Sequence, residues 1–277
     1  MITGQVITVR ERRFFGALEA NSPIEHALGH GLTPEQLFQF QDRLIKVDNG
    51  IRTALLRLPQ GLTDGQEWVL FAKEYAPRRP LHFLRVWLHR ERAPRVWHIA
   101  RYLMAAGVPV ARPLAYFIQK TTLDGRKGYY FSEALLGCRD LRTIAGEPSR
   151  FQELMARGDL IEDLATGIAA FHKTGASHGD MKWGNIMIDE ARGRFWFIDL
   201  DAARHRRFHG RYAMARDVAR FVLNSMEAGL PKDKIEQFIA SYALRRNLPL
   251  ARVSADMAPI LRRLQKRHQK KLATHHH

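Results

Sequence analysis

His178-Gly179-Asp180-Met181-Lys182-Trp183-Gly184-Asn185, followed after one short hairpin by Phe197-Ile198-Asp199-Leu200-Asp201, is the pair of stretches that decides the fold. Ahead of it, Leu160, Ile161, Leu164, Ile168 and Phe171 recur at helical spacing and Gly175 closes the run, which predicts a helix over Leu160–Thr174. Behind it, Asn185–Ile188 and Arg194–Ile198 read as strands about a turn at Glu190–Gly193. A loop leaving a helix thus presents a carboxylate, and the next hairpin returns an amide and further carboxylates beside it. Asn185 and Asp199 are hard oxygen ligands suited to Mg²⁺. Asp201 is a second candidate for that role, but Asp199 directly follows the apolar strand and is preferred. Asp or Asn alone in a loop is ordinarily a turn former, so the argument rests on the residues being in register together.

The order His-x-Asp-x-Lys-x-x-Asn with a later Asp resembles the catalytic segment of protein-kinase-like phosphotransferases. That resemblance implies ATP with Mg²⁺. It casts Asp180 as the base for an attacking hydroxyl, Lys182 as a cation directed at the transferring phosphoryl group, and Asn185 and Asp199 as metal ligands. His178 is expected to hold the loop by hydrogen bonds rather than to move protons. Asp217 precedes the inward-facing Val218, Phe221 and Val222 of a helix predicted from about Tyr212 to Ala228. It either complements the helix dipole or braces the backbone of the catalytic loop, and the brace is the favoured reading.

The first half of the chain reads as strands at Leu44–Val47, Ile51–Leu58 and Glu67–Tyr75, a helix over Arg92–Ala106, then strands at Pro113–Gln119 and Tyr129–Leu135, with turns at Asp48-Asn49-Gly50, Asp64-Gly65 and Asp124-Gly125. Lys73, on the third of these strands, is placed to contact the α- and β-phosphates of ATP. Backbone groups from Glu133 to Leu135 are placed to meet the adenine edge. Gly50 is the one glycine of a poor phosphate loop, which Lys46 or Arg52 would supplement if they are not simply solvated strand charges. The class expected is α+β: a protein-kinase-like bilobal fold with a small antiparallel-sheet N-lobe carrying one main helix, and a larger helical C-lobe. The expected limits are an N-terminal extension over 1–40, an N-lobe over 41–135, a C-lobe over 136–274, and a tag remnant at 275–277.

The chain has 277 residues, 45% hydrophobic and 26% charged, enough for a full core. A formal net charge of +16 favours anionic partners without choosing among them. The single cysteine, Cys138, and a start without a secretory pattern make the cytoplasm the expected compartment. No apolar run is long enough to span a bilayer, and no HExxH, CxxC pair or RNA-recognition signature is present, so no specific nucleic acid is expected.

Several stretches resemble the bacterial lipopolysaccharide kinase family of the Kdo kinase, WaaP and InaA type: Ala72-Lys73-Glu74-Tyr75, Gly107-Val108-Pro109-Val110-Ala111-Arg112-Pro113-Leu114-Ala115, Ser177-His178-Gly179-Asp180, Ile198-Asp199-Leu200-Asp201 and Arg216-Asp217-Val218-Ala219-Arg220-Phe221. The resemblance implies ATP-dependent phosphorylation of a sugar hydroxyl of the lipopolysaccharide inner core, or of another anionic acceptor, at the cytoplasmic face of the inner membrane. One departure stands out. Val96 and His98 occupy the part of the Arg92–Ala106 helix where a kinase carries the glutamate that pairs with its strand lysine. The mixed basic and apolar segment 78–95 is expected either to lie on an anionic membrane surface or to pack as a small-lobe helix. The alternatives carried are a phosphotransferase acting on another small molecule or a protein, a nucleotide-binding pseudokinase, and an RNA-binding protein.

Overall fold

The computed structural model describes residues 4–275 except 49, 63–64, 77–90, 121–125, 157–159 and 206–209, with backbone only beyond 269. It divides the chain into two compact units, Met1–Ala105 with Ala111–Leu136, and Ala106–Val110 with Gly137–His277. Most of the basic apolar segment 78–95, Asn49, Asp64, the Asp124-Gly125 turn and the last two histidines lie outside the described residues.

The first unit is built on seven antiparallel strands: β1 (Val6–Arg10), β2 (Phe14–Glu19), β3 (Gln41–Asp48), β4 (Ile51–Leu58), β5 (Trp68–Tyr75), β6 (Pro113–Lys120) and β7 (Arg126–Glu133), in the order β1-β2-β6-β7-β5-β4-β3. The strand-strand-strand-helix-strand-strand order expected from 41–135 is present. The N-terminal extension over 1–40 belongs to the same unit as these strands: β2 pairs with β6, Leu18 against Ala115. Alternation along the strands sends Ala54, Leu56, Leu70, Ala72, Phe117, Tyr129 and Phe131 to one face. There they meet Ile24 and Ala27 of helix α1 (Pro23–Gly29) and Leu37 and Phe38 of the following 3₁₀ turn. Phe117 and Phe131 are fully buried, each contributing roughly 2–3 kcal/mol by burial. The other face is covered by α2 (Arg92–Ala105), whose Trp97 packs on Tyr116 at 5.2 Å between ring centroids.

The second unit is helical: α3 (Leu141–Ala145), α4 (Pro148–Ala156), α5 (Leu160–Lys173), α6 (Gly210–Glu227), α7 (Lys232–Arg245) and α8 (Leu250–His275). The predicted apolar stripe of α5 is buried throughout. Helices α6 and α8 run side by side in the same direction, with Arg211 paired to Asp256 near one end and Glu227 to His268 near the other. Short strands complete the unit: β8 (Arg139–Asp140), β9 (Ala176–Ser177), β10 (Ile186–Asp189), β11 (Arg194–Phe197) and β12 (Arg204–His205). Strand β10 pairs with both β11 and β8, while β9 pairs with β12.

Candidate active site

Two strand pairs fix the two loops that the sequence singles out. Residues 178–185 run from β9 to β10, and residues 198–203 run from β11 to β12. Since β10 pairs with β11 and β9 with β12, the loops are held together at both ends. Across the gap, the Ile198 amide donates to the Asn185 carbonyl at 3.0 Å. The fully buried His178 ring donates through Nε2 to the Ile198 carbonyl at 3.0 Å and accepts the Asp180 amide at Nδ1 at 3.3 Å. Both ring nitrogens are therefore occupied by backbone, and burial, followed by weaker opposing effects, lowers the pKa of this imidazole. His178 holds the loop in its neutral form, as its position predicts.

Asp217 is wholly buried and braces the same loop: its carboxylate accepts the His178 amide at 2.7 Å and the Gly179 amide at 2.9 Å. Helix α6 begins at Gly210, so Asp217 lies about two turns inside it. The dipole reading is thereby removed, because the macrodipole acts within the first turn. Also on Asp217 is His172 Nε2 at 3.4 Å, while His172 Nδ1 meets the Tyr242 hydroxyl at 2.8 Å.

Asp180 follows directly and is partly exposed. Lys182 Nζ lies 3.0 Å from its Oδ2, Arg220 Nη1 is paired with its Oδ1, and Asn185 Nδ2 donates to its carbonyl at 2.8 Å and to Oδ2 at 3.3 Å. Lys182, expected to face a phosphoryl group, rests on the aspartate itself. Asn185 is buried with its NH₂ group committed to Asp180, so Oδ1 is the atom it offers a metal. Asp199 is exposed and sits at φ 59°, ψ 56°, a left-handed conformation. A non-glycine residue there costs free energy, and such residues concentrate at functional sites. Asn185 and Asp199 would offer Mg²⁺ one amide oxygen and one carboxylate, with phosphates and water filling its other positions; among the described residues no cluster of three or more His, Cys, Asp or Glu side chains marks a metal site. Asp201 is half-buried in the 3₁₀ turn that follows.

In the first unit, Lys73 is 7% exposed, between Thr53 of β4 and Tyr130 of β7. Helix α2 brings no carboxylate: Val96 is buried in it and His98 is exposed. The two nearby glutamates have other partners, Glu91 with Arg126 at 2.9 Å and Glu74 with Lys127 at 3.8 Å. The amides of Glu133 and Ala134 are spent within the sheet, on Arg112 and Val69 carbonyls. Leu135 lies beyond the strand, and its amide has no backbone partner among the described residues. Gly50 takes φ 73° in the β3–β4 turn, and its carbonyl accepts the Ala76 amide at 2.7 Å. Lys46 is exposed and pairs with Asp48 at 2.7 Å, whereas Arg52 bonds Gln41 and lies over the Phe38 ring.

The sequence motifs assign no separate role to Arg216 and Arg220. They are one helical turn apart on α6, with Asp217 between them. Arg216 Nη2 donates to the Gly179 carbonyl at 3.2 Å and Arg220 to the Asp180 carboxylate. One face of α6 therefore grips residues 178, 179 and 180 in succession. The i, i+4 spacing of the arginines is the signal that points to it.

The model of the lipopolysaccharide kinase (Kdo/WaaP) family matches residues 78–242, more than half of the chain. A 3-deoxy-D-manno-octulosonic acid kinase of Vibrio vulnificus strain YJ016 is 32% identical over 110 residues, 38% of this chain and 41% of that protein. One of Xanthomonas campestris pv. campestris strain B100 is 31% identical over 112 residues, 40% of this chain and 41% of that protein. The matched stretch thus spans about two-fifths of the length of these curated relatives. The solved structure of WaaP in complex with acyl carrier protein superposes with a TM-score of 0.61 at 22% identity, covering 88% of this chain and 94% of that one. This likeness bears out the kinase-like fold. With the family match extending through the loops and helix that carry Asp180, Asn185, Asp199 and Asp217, the chain belongs to the lipopolysaccharide kinase (Kdo/WaaP) family.

Proposed function

We propose that this protein is an ATP- and Mg²⁺-dependent kinase that phosphorylates a sugar hydroxyl of the lipopolysaccharide inner core, with Asp180 as base. The observation that carries the reading is the Asp180 carboxylate held between Lys182, Asn185 and Arg220 on a loop that Asp217 braces from beneath. A base must be aimed before it is useful, and this loop is fixed on both sides.

In the proposed reaction the acceptor hydroxyl gives its proton to Asp180 as its oxygen bonds the γ-phosphorus of ATP. The bond from that phosphorus to the β,γ-bridging oxygen breaks, and ADP leaves. Lys182 moves from Asp180 to offset charge on the transferring group. Asn185 Oδ1 and the Asp199 carboxylate are the proposed metal ligands. Mg²⁺ held there would supply charge neutralisation at the phosphate oxygens. Lys73 is the proposed ligand of the α- and β-phosphates, and the Leu135 backbone the contact for adenine. Among the described residues no helix is long and apolar enough to cross a membrane. The +16 charge supports peripheral contact with the anionic inner-membrane surface, where such an acceptor is made.

The test is transfer of labelled γ-phosphate from ATP, with Mg²⁺, to lipopolysaccharide from a strain lacking this gene, beside an Asp180→Ala control. Label in the sugar core that vanishes in the control supports reaction and base together. ATP binding without label in the wild type would instead favour another acceptor or a pseudokinase.

A further inference from the structure

Arg220 is paired with Asp180 and is not used up by it. Its guanidinium gives Nη1 to the carboxylate, while the buried Nε has no hydrogen-bond partner among the described residues. About a third of the side chain is exposed, so the group is open from one side. Arg267 of α8 stands close enough for its charge to oppose that of Arg220. Arg267 also lines a surface hollow of about 420 Å³ whose other walls are Pro259, Arg262, Arg263 and Lys266. None of these four cations has an ion pair among the described residues. Two acidic residues of α8 and α6 are engaged elsewhere, Asp256 by Arg211 and Glu227 by His268.

The charge balance around Asp180 makes this arrangement unusual for a base. One carboxylate faces two cations in direct contact, and α8 carries a further row of cations that includes Arg267. Such a cluster attracts additional negative charge, and Lys182 and Arg220 between them occupy both carboxylate oxygens that an acceptor hydroxyl must reach. ATP phosphates give Lys182 a second partner. Arg220 needs one as well. A guanidinium binds carboxylates in a planar two-point geometry, so a carboxylate is a like-for-like replacement for Asp180.

We propose that Arg220, with Arg267 beside it, is the receptor for the carboxylate of a sugar-acid acceptor, and that this carboxylate draws Arg220 off Asp180 as the hydroxyl arrives. The inference rests on the kinase reading above and adds which residues recognise the acceptor. Binding and release of the base are then one event: an acceptor without the acid group leaves Asp180 capped. The Arg262, Arg263 and Lys266 hollow extends the same field outward and attracts the remaining anionic groups of the acceptor.

The experiment compares two acceptors, a synthetic 3-deoxy-octulosonic acid glycoside and its carboxyl-reduced analogue, with wild type, Arg220→Gln, Arg220→Lys and Arg267→Gln. The wild type is expected to favour the acid by about 10- to 100-fold in kcat/KM, the range one charged hydrogen-bonded pair supplies. In Arg220→Gln that preference collapses to within about threefold, and Arg220→Lys restores part of it because the charge returns without the fork. Arg267→Gln, an exposed change, raises KM for the acid several-fold and leaves kcat near wild type. Should Arg220→Gln fail to fold, the Arg220→Lys and Arg267→Gln ratios decide alone. Equal use of both acceptors by the wild type, or undiminished preference in these variants, overturns the inference while the kinase reading stands. No transfer to either acceptor or to lipopolysaccharide overturns both.

Discussion

Asp217 accepts the backbone amide of Gly179 at 2.9 Å, and this contact places the loop that carries Asp180 directly on helix α6. The same carboxylate accepts the His178 amide, and it has no exposed surface. Removing it strands the buried His178 N–H, at about 1–3 kcal/mol, and the partly buried Gly179 N–H at less. Asp217→Ala should therefore lower stability by several kcal/mol in urea unfolding and abolish phosphate transfer. Asp217→Asn, which keeps one acceptor oxygen, should lie between. Wild-type transfer in Asp217→Ala would show that the loop holds its shape without the brace.

Gly179 is tested independently from the other side of the same contact. Its φ is +83°, where side chains are strained, and an added Cβ would lie 2.7 Å from the Ala202 carbonyl oxygen. Ala202 belongs to the second site loop, so the clash would push the two loops apart. Gly179→Ala should cost more than about 2 kcal/mol and remove transfer. Near-wild-type thermal unfolding would show that the loops yield without cost.

Much of this architecture is legible in the amino-acid sequence. The α5 stripe and the five strands from residue 41 to 133 follow from periodicity and turn chemistry, which are local signals, and the order of Asp180, Asn185 and Asp199 follows from its resemblance to the kinase segment. Helices α3 and α4 leave little trace because they are too short, at five and nine residues, for a helical period to repeat. The place of residues 1–40 is not encoded locally, because pairing of β2 with β6 joins residues about a hundred positions apart. The brace role of Asp217 can be read from its position ahead of an apolar helix face, whereas Arg216 and Arg220 read only as parts of a motif. Their function depends on which loop faces α6, a tertiary fact.

Asp199 offers a case in which function and stability separate. Its left-handed backbone is one that glycine adopts without penalty, and its carboxylate is exposed. Asp199→Gly should leave the unfolding midpoint unchanged or raise it, since relief of about 1 kcal/mol of strain offsets the extra freedom of the unfolded chain. The same variant should lose Mg²⁺-dependent ATP binding in calorimetry. A lowered midpoint with intact Mg²⁺-dependent binding would mean that the conformation serves the loop and not the metal.

The buried histidines give the protein a predictable acid sensitivity. His172, facing Tyr242 and Asp217, and His178, facing the Ile198 carbonyl and Asp217, are both held below the ordinary histidine pKa of 6.5, chiefly by burial. Unfolding exposes them to water, where they take up protons as pH falls past 6.5. The unfolded state then binds more protons than the folded one, so stability is complete above that pH and declines below it. Each histidine contributes at most about 1.4 kcal/mol of loss between about pH 7.5 and 5.5. Urea midpoints at the two pH values should differ accordingly in the wild type, and His172→Gln, which cannot titrate, should remove close to half of the difference. An unchanged difference in His172→Gln would place the acid sensitivity elsewhere in the chain.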